Sequence, residues 1–153
     1  MSKKTYDCVI ERNHNEINNK IIDFLKTKIY GKYLDVGANT GWLIREKEGG
    51  IGVDSSIEMV NKSNGLIRLA NANNLPFKDK EFDIVVMSCV LEQCDDWEIA
   101  LKEAMRVGKK VIGINPYPGS TWGKIGGWVK SIIPTDKFTY IKRFDKDRYY
   151  FEI

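Results

Sequence analysis

Four polar stations along the chain are of types that can do chemistry: the run Asp35-Val36-Gly37-Ala38-Asn39-Thr40-Gly41, then Asp54, Asn71 and Ser88. Gly37 and Gly41 let the backbone turn tightly and approach a ligand, since no Cβ intervenes. Asn39, between them, tolerates left-handed backbone angles better than most residues. Backbone N–H groups in such a turn, opening into a helix, suit a carboxylate or phosphate. Asp54 stands seventeen residues after Gly37 and can accept two hydrogen bonds from a ribose diol. The side chain of Asn71 both accepts and donates, which fits a purine edge. Together these residues have the chemistry of a nucleotide-cofactor site.

The elements that must carry them follow from periodicity. Ile17, Ile21, Phe24, Leu25 and Ile29 recur at helical spacing over residues 11–29, and Gly31 ends that helix. A first strand follows at 32–37, then the Gly-rich turn and a short helix from Trp42. Ile51–Asp54 is the second strand, and Ser55 or Ser56 caps the helix after it. Leu66–Ala70 is the third strand, and residues 71–81 read as a loop. Phe82–Ser88 is near-continuously apolar, as a strand covered on both faces should be. A helix over 96–106 turns Ile99, Leu101, Ala104 and Met105 inward. Lys110–Ile114 is the fifth strand, broken by Asn115-Pro116-Tyr117, and a helix spans 121–133 before Pro134. Alternation then changes to period two. Phe138 and Tyr140, and beyond Asp145-Lys146-Asp147 the residues Tyr149, Phe151 and Ile153, form an antiparallel hairpin. The expected fold is α/β, a Rossmann-like doubly wound, seven-stranded, mostly parallel sheet with a C-terminal antiparallel hairpin and helices on both faces. Asp35–Gly41, Asp54, Asn71 and Ser88 each stand at the C-terminal end of a strand, where ligands bind in such sheets.

Bulk properties exclude more than they assign. A length of 153 residues fits one domain, organised as an N-terminal helical segment over 1–30, a cofactor-binding core over 31–115, and a helix with closing hairpin over 116–153. No apolar run approaches the ~20 residues of a membrane span, and Met-Ser-Lys-Lys-Thr-Tyr has no apolar stretch behind it to make a signal peptide. Cys8, Cys89 and Cys94 are odd in number and lack zinc spacing, so they read as free thiols of a cytoplasmic protein that holds no metal. The single histidine, His14, falls on a polar helix end and reads as solvent-facing. Net charge is +3, but residues 101–153 carry eleven Lys or Arg against five Asp or Glu. That surplus reads as a solvated surface, with an anionic partner as the sharper alternative.

The motifs resemble those of class I S-adenosylmethionine-dependent methyltransferases, close to the small, quinone-biosynthesis type. Leu34–Gly41 is similar to the family's first motif and Gly52-Val53-Asp54-Ser55-Ser56 to its second. Asn71-Ala72-Asn73-Asn74-Leu75-Pro76-Phe77, followed by Phe82-Asp83-Ile84-Val85-Val86, resembles its D-A-x-x-L-P-F…F-D-V-V run. Val90-Leu91-Glu92-Gln93 resembles its V-L-E-H element. The resemblance implies S-adenosyl-L-methionine as cofactor. Asp35, Gly37, Ala38, Asn39, Gly41 and Ser88 would surround its methionine part, Asp54 and Ser55 its ribose, and Asn71 and Ala72 its adenine. Three positions depart from the family: Asn39 replaces the middle glycine, Asn71 an aspartate, and Gln93 a histidine. A nicotinamide dinucleotide needs G-x-G-x-x-G, whereas the spacing here is G-x-x-x-G, so an NAD-dependent oxidoreductase is the weaker reading. A methyltransferase-like binding or scaffold module without activity is the alternative of a different class.

Methyl transfer from a sulfonium is an in-line displacement whose main demand is alignment. A base is needed only where the O, N or C acceptor keeps its proton, and Glu92 and Tyr117 are the candidates, with Gln93 able to position. Trp122 and Trp128, at helical spacing, read as core. With no inserted cap visible in the sequence, the acceptor is either a small molecule, closed in by the N-terminal helix or by a homodimer partner, or an open-site macromolecule such as nucleic acid, protein or glycan.

Overall fold

The computed structural model describes residues 19–117, 120 and 133–153. His14, Cys8, the first part of the expected helix over 11–29, and the helix expected over 121–133 with Trp122 and Trp128 lie outside the described residues, Ile133 apart. Chain order gives helix α1 (19–26), strand β1 (Tyr33–Val36), α2 (Trp42–Glu46), β2 (Gly50–Asp54), α3 (Ile57–Lys62), β3 (Ile67–Leu69), β4 (Phe82–Ser88), α4 (Trp97–Val107), β5 (Gly108–Pro116), β6 (Tyr140–Arg143) and β7 (Arg148–Glu152). Short 3₁₀ turns cover Leu91–Gln93 and Thr135–Lys137.

The strands form one seven-stranded sheet in the order β3-β2-β1-β4-β5-β7-β6. The first five are parallel, and β7 runs antiparallel to both β5 and β6. This is the doubly wound sheet with its antiparallel hairpin that the sequence predicts. Strand order reverses between β1 and β4, which opens a crevice at their C-terminal ends.

Alternation along the strands sends side chains to two cores. Leu34, Val36, Val85, Met87, Val111, Tyr149 and Phe151 pack on one face with Ala100, Leu101, Ala104 and Val107 of α4. Tyr33, Ile84, Val86, Ile112, Ile114 and Tyr150 pack on the other with Ile21, Ile22 and Leu25 of α1 and Leu43 of α2. Each fully buried large apolar chain contributes roughly 1.5–3 kcal/mol by leaving water. Among the described residues, no helix is long and apolar enough to cross a membrane.

Three expectations are corrected, and the burial of Tyr150 is a finding beyond them. Helix α4 buries Ala100, Leu101, Ala104 and Val107, while Ile99 and Met105 are exposed. The buried stripe runs over small residues, which lets α4 sit close to the sheet. Strand β5 runs through Asn115 to Pro116, because β7 pairs beside it and Pro116 sits opposite Arg148 at its end. Tyr150 is as buried as Tyr149 and Phe151, since β7 is an inner strand covered on both faces. Helix α1 stops at residue 26, where Thr27 Oγ1 donates to the Phe24 carbonyl at 2.6 Å, ahead of Gly31.

Candidate cofactor site

The turn between β1 and α2 is built from three left-handed residues, Gly37 (φ 73°), Asn39 (φ 52°) and Gly41 (φ 87°). Asn39 therefore does what its small polar side chain allows. Its Oδ1 accepts from the Thr40 N–H at 2.8 Å, a local bond that holds the left-handed angle. The N–H groups of Gly37 and Ala38 both donate to the Val53 carbonyl at 2.9 Å, tying the turn to β2. Gly37 must stay without a side chain, because a Cβ there would overlap Val90 Cγ2.

Asp54 closes the same arrangement from β2. Its Oδ2 accepts from the Asn39 N–H at 2.9 Å, and its Oδ1 from the Ser56 N–H at 2.9 Å. Each carboxylate oxygen keeps a lone pair, so the pair of acceptors that a ribose diol requires is held in place by the turn it clamps. Ser56, and not Ser55, caps α3, accepting from the Met59 N–H at 3.4 Å. Asn71 Oδ1 accepts from the Asn73 N–H at 2.9 Å, which leaves its side-chain N–H groups and one lone pair for a ligand. The Asn71–Asp79 loop is anchored from behind. Arg106 donates to the carbonyls of Leu75 (3.0 Å) and Phe77 (2.8 Å) and to Asp79 and Glu103, while Glu103 accepts from the Leu75 N–H.

These stations surround one cavity of about 430 Å³, within the range of small-molecule sites. Asp35, Gly37, Ala38, Asn39, Asp54, Ser55, Asn71, Ala72 and Ser88 line it, so the structure brings together all the cofactor residues read from the sequence except Gly41. Gly41 is the N-cap of α2 and packs against Leu66 and Ile67, shaping the turn from outside the cavity. An apolar wall of Ile21, Ile22, Leu25 and Trp42 completes it. Sequence reasoning offered the N-terminal helix as one way of closing the acceptor site but named none of its residues as site residues; Ile21, Ile22 and Leu25 of α1 line the crevice that β1 and β4 open.

Asp35 is the electrostatic centre. It is 6% exposed, and burial, with a smaller contribution from the nearby Asp54 charge, pushes its carboxyl up to about 7. Such a carboxylate favours a ligand that brings positive charge. Cys89, left-handed at φ 55°, also lines the cavity. Burial and the Glu92 charge push its thiol up to about 12, so it is neutral and inert as a nucleophile.

The three candidate acceptor-side residues separate. Gln93 lines the cavity, its Nε2 donating to the Cys89 carbonyl. Glu92 is 5% exposed and sits behind that wall, and burial pushes its carboxyl up to about 7. Tyr117 packs its ring on Tyr149, centroids 5.2 Å apart, and lies off the cavity wall. Glu92 Oε2 and Asn115 Oδ1 are buried with no hydrogen-bond partner, each at a cost of about 1–3 kcal/mol. Sequence reasoning placed Asn115 in the Asn115-Pro116-Tyr117 break after the fifth strand and gave it no role in the site. Among the described residues, no group of His, Cys, Asp or Glu has the arrangement of a metal site.

Known proteins are similar to this chain. A family model described as a methyltransferase domain matches residues 34–111, half of the chain and all of the strand ends that line the cavity. Two uncharacterized proteins of Methanocaldococcus jannaschii are 38% identical over 101 residues (61% of this chain, 49% of the relative) and 32% identical over 114 residues (71% and 43%). The chain thus spans about half the length of these curated relatives. Among solved structures, a Thermotoga maritima protein described as a SAM-dependent methyltransferase, possible histamine N-methyltransferase, superposes with a TM-score of 0.71 at 20% identity, covering 94% of this chain and 97% of that one. A SAM-dependent methyltransferase of Methanosarcina mazei superposes at 0.61 with 17% identity, covering 84% and 95%. At these identities the two structures share the fold.

Proposed function

Because the chain belongs to the methyltransferase domain family, whose cofactor is S-adenosylmethionine, we propose that it transfers a methyl group to an oxygen, nitrogen or carbon acceptor. The observation that carries this reading is Asp35, a buried carboxylate on the wall of the same cavity as Asp54 and Asn71. A dinucleotide would bring its anionic pyrophosphate to the Gly37–Gly41 turn, beside that carboxylate, and be repelled. A sulfonium cofactor brings an ammonium and a positive sulfur, and is attracted.

When bound, S-adenosylmethionine supplies a methyl group already activated by the positive sulfur. Asp35 with the Gly37–Asn39 backbone would hold the methionine end, Asp54 the ribose, and Asn71 with Ala72 the adenine, while Ile21, Leu25 and Trp42 exclude water from the cavity. We assign residues 31–115 as the cofactor-binding core, between segments 1–30 and 116–153. With α1 seated over the crevice, the arrangement favours a small acceptor over a macromolecule.

Calorimetric titration of the full chain with S-adenosylmethionine and, separately, NAD tests the proposal. One site for the first and no heat for the second is the expected result. No heat and no thermal shift at millimolar S-adenosylmethionine would refute it, and binding without turnover on any acceptor class would leave a binding module.

A further inference from the structure

Where β4, β5 and β7 end together, two buried side chains lack the hydrogen bonds that burial calls for. Glu92 is 5% exposed and Asn115 fully buried, and Glu92 Oε2 and Asn115 Oδ1 have no partner. Buried polar atoms are ordinarily paired; Asn115 Oδ1 is an acceptor, and so is Glu92 Oε2 when its carboxyl is ionised. The donor half of the Asn115 amide is used, Nδ2 lying 3.4 Å from the Tyr149 hydroxyl. Asn115 and Tyr149 are register neighbours across the β5–β7 ladder. The 3₁₀ turn Leu91–Gln93 that carries Glu92 packs against β5, the strand that carries Asn115, so the two orphan oxygens lie in one region of the fold. Cys89 and Gln93, which flank Glu92 along the chain, line the cofactor cavity, so this region adjoins it. Arg148, also close, is paired with Asp145.

We infer that this end of the crevice is an acceptor subsite for a small protonated primary amine, whose N–H groups are received by Glu92 Oε2 and Asn115 Oδ1. An ammonium offers three donors and a positive charge to a carboxylate and an amide oxygen that need donors. An alcohol offers one donor and no charge. A carboxylate or phosphate would place negative charge against both orphan oxygens and is rejected. Naming the amine as the methyl acceptor rests on the methyltransferase reading and requires that the ammonium first give one proton to the Glu92 carboxylate, since only the neutral amine has the lone pair that takes the methyl, whereas the amine subsite itself rests on Glu92 and Asn115.

The test is calorimetric titration of the full chain with phenethylamine, 2-phenylethanol and 3-phenylpropanoate. The amine should bind at least tenfold more tightly than the alcohol, and the carboxylate not at all. Glu92→Gln and Asn115→Leu should each weaken the amine at least tenfold while the S-adenosylmethionine Kd stays within twofold. An amine that does not bind, three probes that bind alike, or a folded Glu92→Gln protein with unchanged amine affinity overturns the inference. Should Glu92→Gln fail to fold by circular dichroism, the effect of Asn115→Leu on amine affinity decides, since the ranking of the probes alone would also follow from the Asp35 carboxylate in the cavity. A wild-type chain that binds S-adenosylmethionine but ranks the probes equally loses only the subsite. One that ranks them as expected but binds no S-adenosylmethionine loses only the methyltransferase reading.

Discussion

At the scale of single residues, Asp35 and Asp54 divide the work by environment. Asp54 accepts two backbone N–H groups and keeps lone pairs for a ligand. Replacing it with alanine strands the N–H groups of Asn39 and Ser56 and removes the ribose acceptors together. Asp54→Ala should therefore weaken S-adenosylmethionine by well over tenfold in calorimetry. That is more than the ~1 kcal/mol of one neutral hydrogen bond, since tenfold alone is about 1.4 kcal/mol. Asp35 has no such ties to the turn, and burial pushes it up to about 7. It is charged above that pH and neutral below it, and only the charged form attracts an ammonium. Cofactor affinity should fall as pH drops from 7.5 to 5.5, by up to about tenfold per pH unit once below the folded pKa. In Asp35→Asn the affinity should be weak throughout and the profile flat. Titrations at several pH values on both proteins check this, and a wild-type affinity independent of pH would contradict it.

At the scale of elements, the site depends on how closely β4 and β5 approach. A Cβ on Gly113 would fall on the Met87 carbonyl oxygen of the adjacent strand and against the Phe151 ring. Backbone in the middle of a sheet cannot yield as a side chain tip can. Gly113→Ala should cost at least the ~1–3 kcal/mol typical of overpacking, seen as a lower midpoint in urea unfolding. The strands themselves were legible in the sequence: Phe82–Ser88 is bounded as its apolar run implies, and the acids and amides at strand ends meet at one cavity because the topology of a doubly wound sheet brings strand ends together. Side-chain type alone was a poorer guide. Ile99 and Met105 are apolar yet exposed, because the stripe that faces the sheet is set by Ala100 and Ala104. Ile21, Leu25 and Trp42 could not be told from core, since a cavity wall and a core use the same residues. The packing of Tyr117 on Tyr149 depends on the antiparallel return of β7, a contact between residues far apart in sequence that no local pattern records.

At the scale of the whole molecule, two sets of carboxylates pull stability in opposite directions with pH. Asp35 and Glu92 are raised to about 7 from 3.8 and 4.5, in both cases chiefly by burial. A raised carboxyl makes the folded state bind protons that the unfolded chain has already lost. The stability it supports is fully present below about pH 4 and is lost as pH rises through 7, by an amount on the order of a few kcal/mol for Asp35. Glu81, Asp83 and Glu103 are lowered, first by hydrogen bonds from Lys32, Lys109 and Arg106 respectively. Their contribution is present above about pH 4.5 and is lost as pH falls through their folded pKa values. The cofactor-free protein should thus be most stable near pH 5 and should melt at lower temperature both at pH 3 and at pH 8. S-adenosylmethionine relieves only one side of this balance. Its ammonium stabilises the charged form of Asp35, so the cofactor should raise Tm more at pH 7.5 than at pH 5.5, at equal concentration. Thermal melts from pH 4 to 8, with and without cofactor, measure both curves. A cofactor shift equal at the two pH values would mean that the Asp35 carboxylate does not face the cofactor's positive charge. A cofactor-free Tm that is flat from pH 5 to 8 would mean that Asp35 and Glu92 ionise in the folded protein as freely as in the unfolded chain.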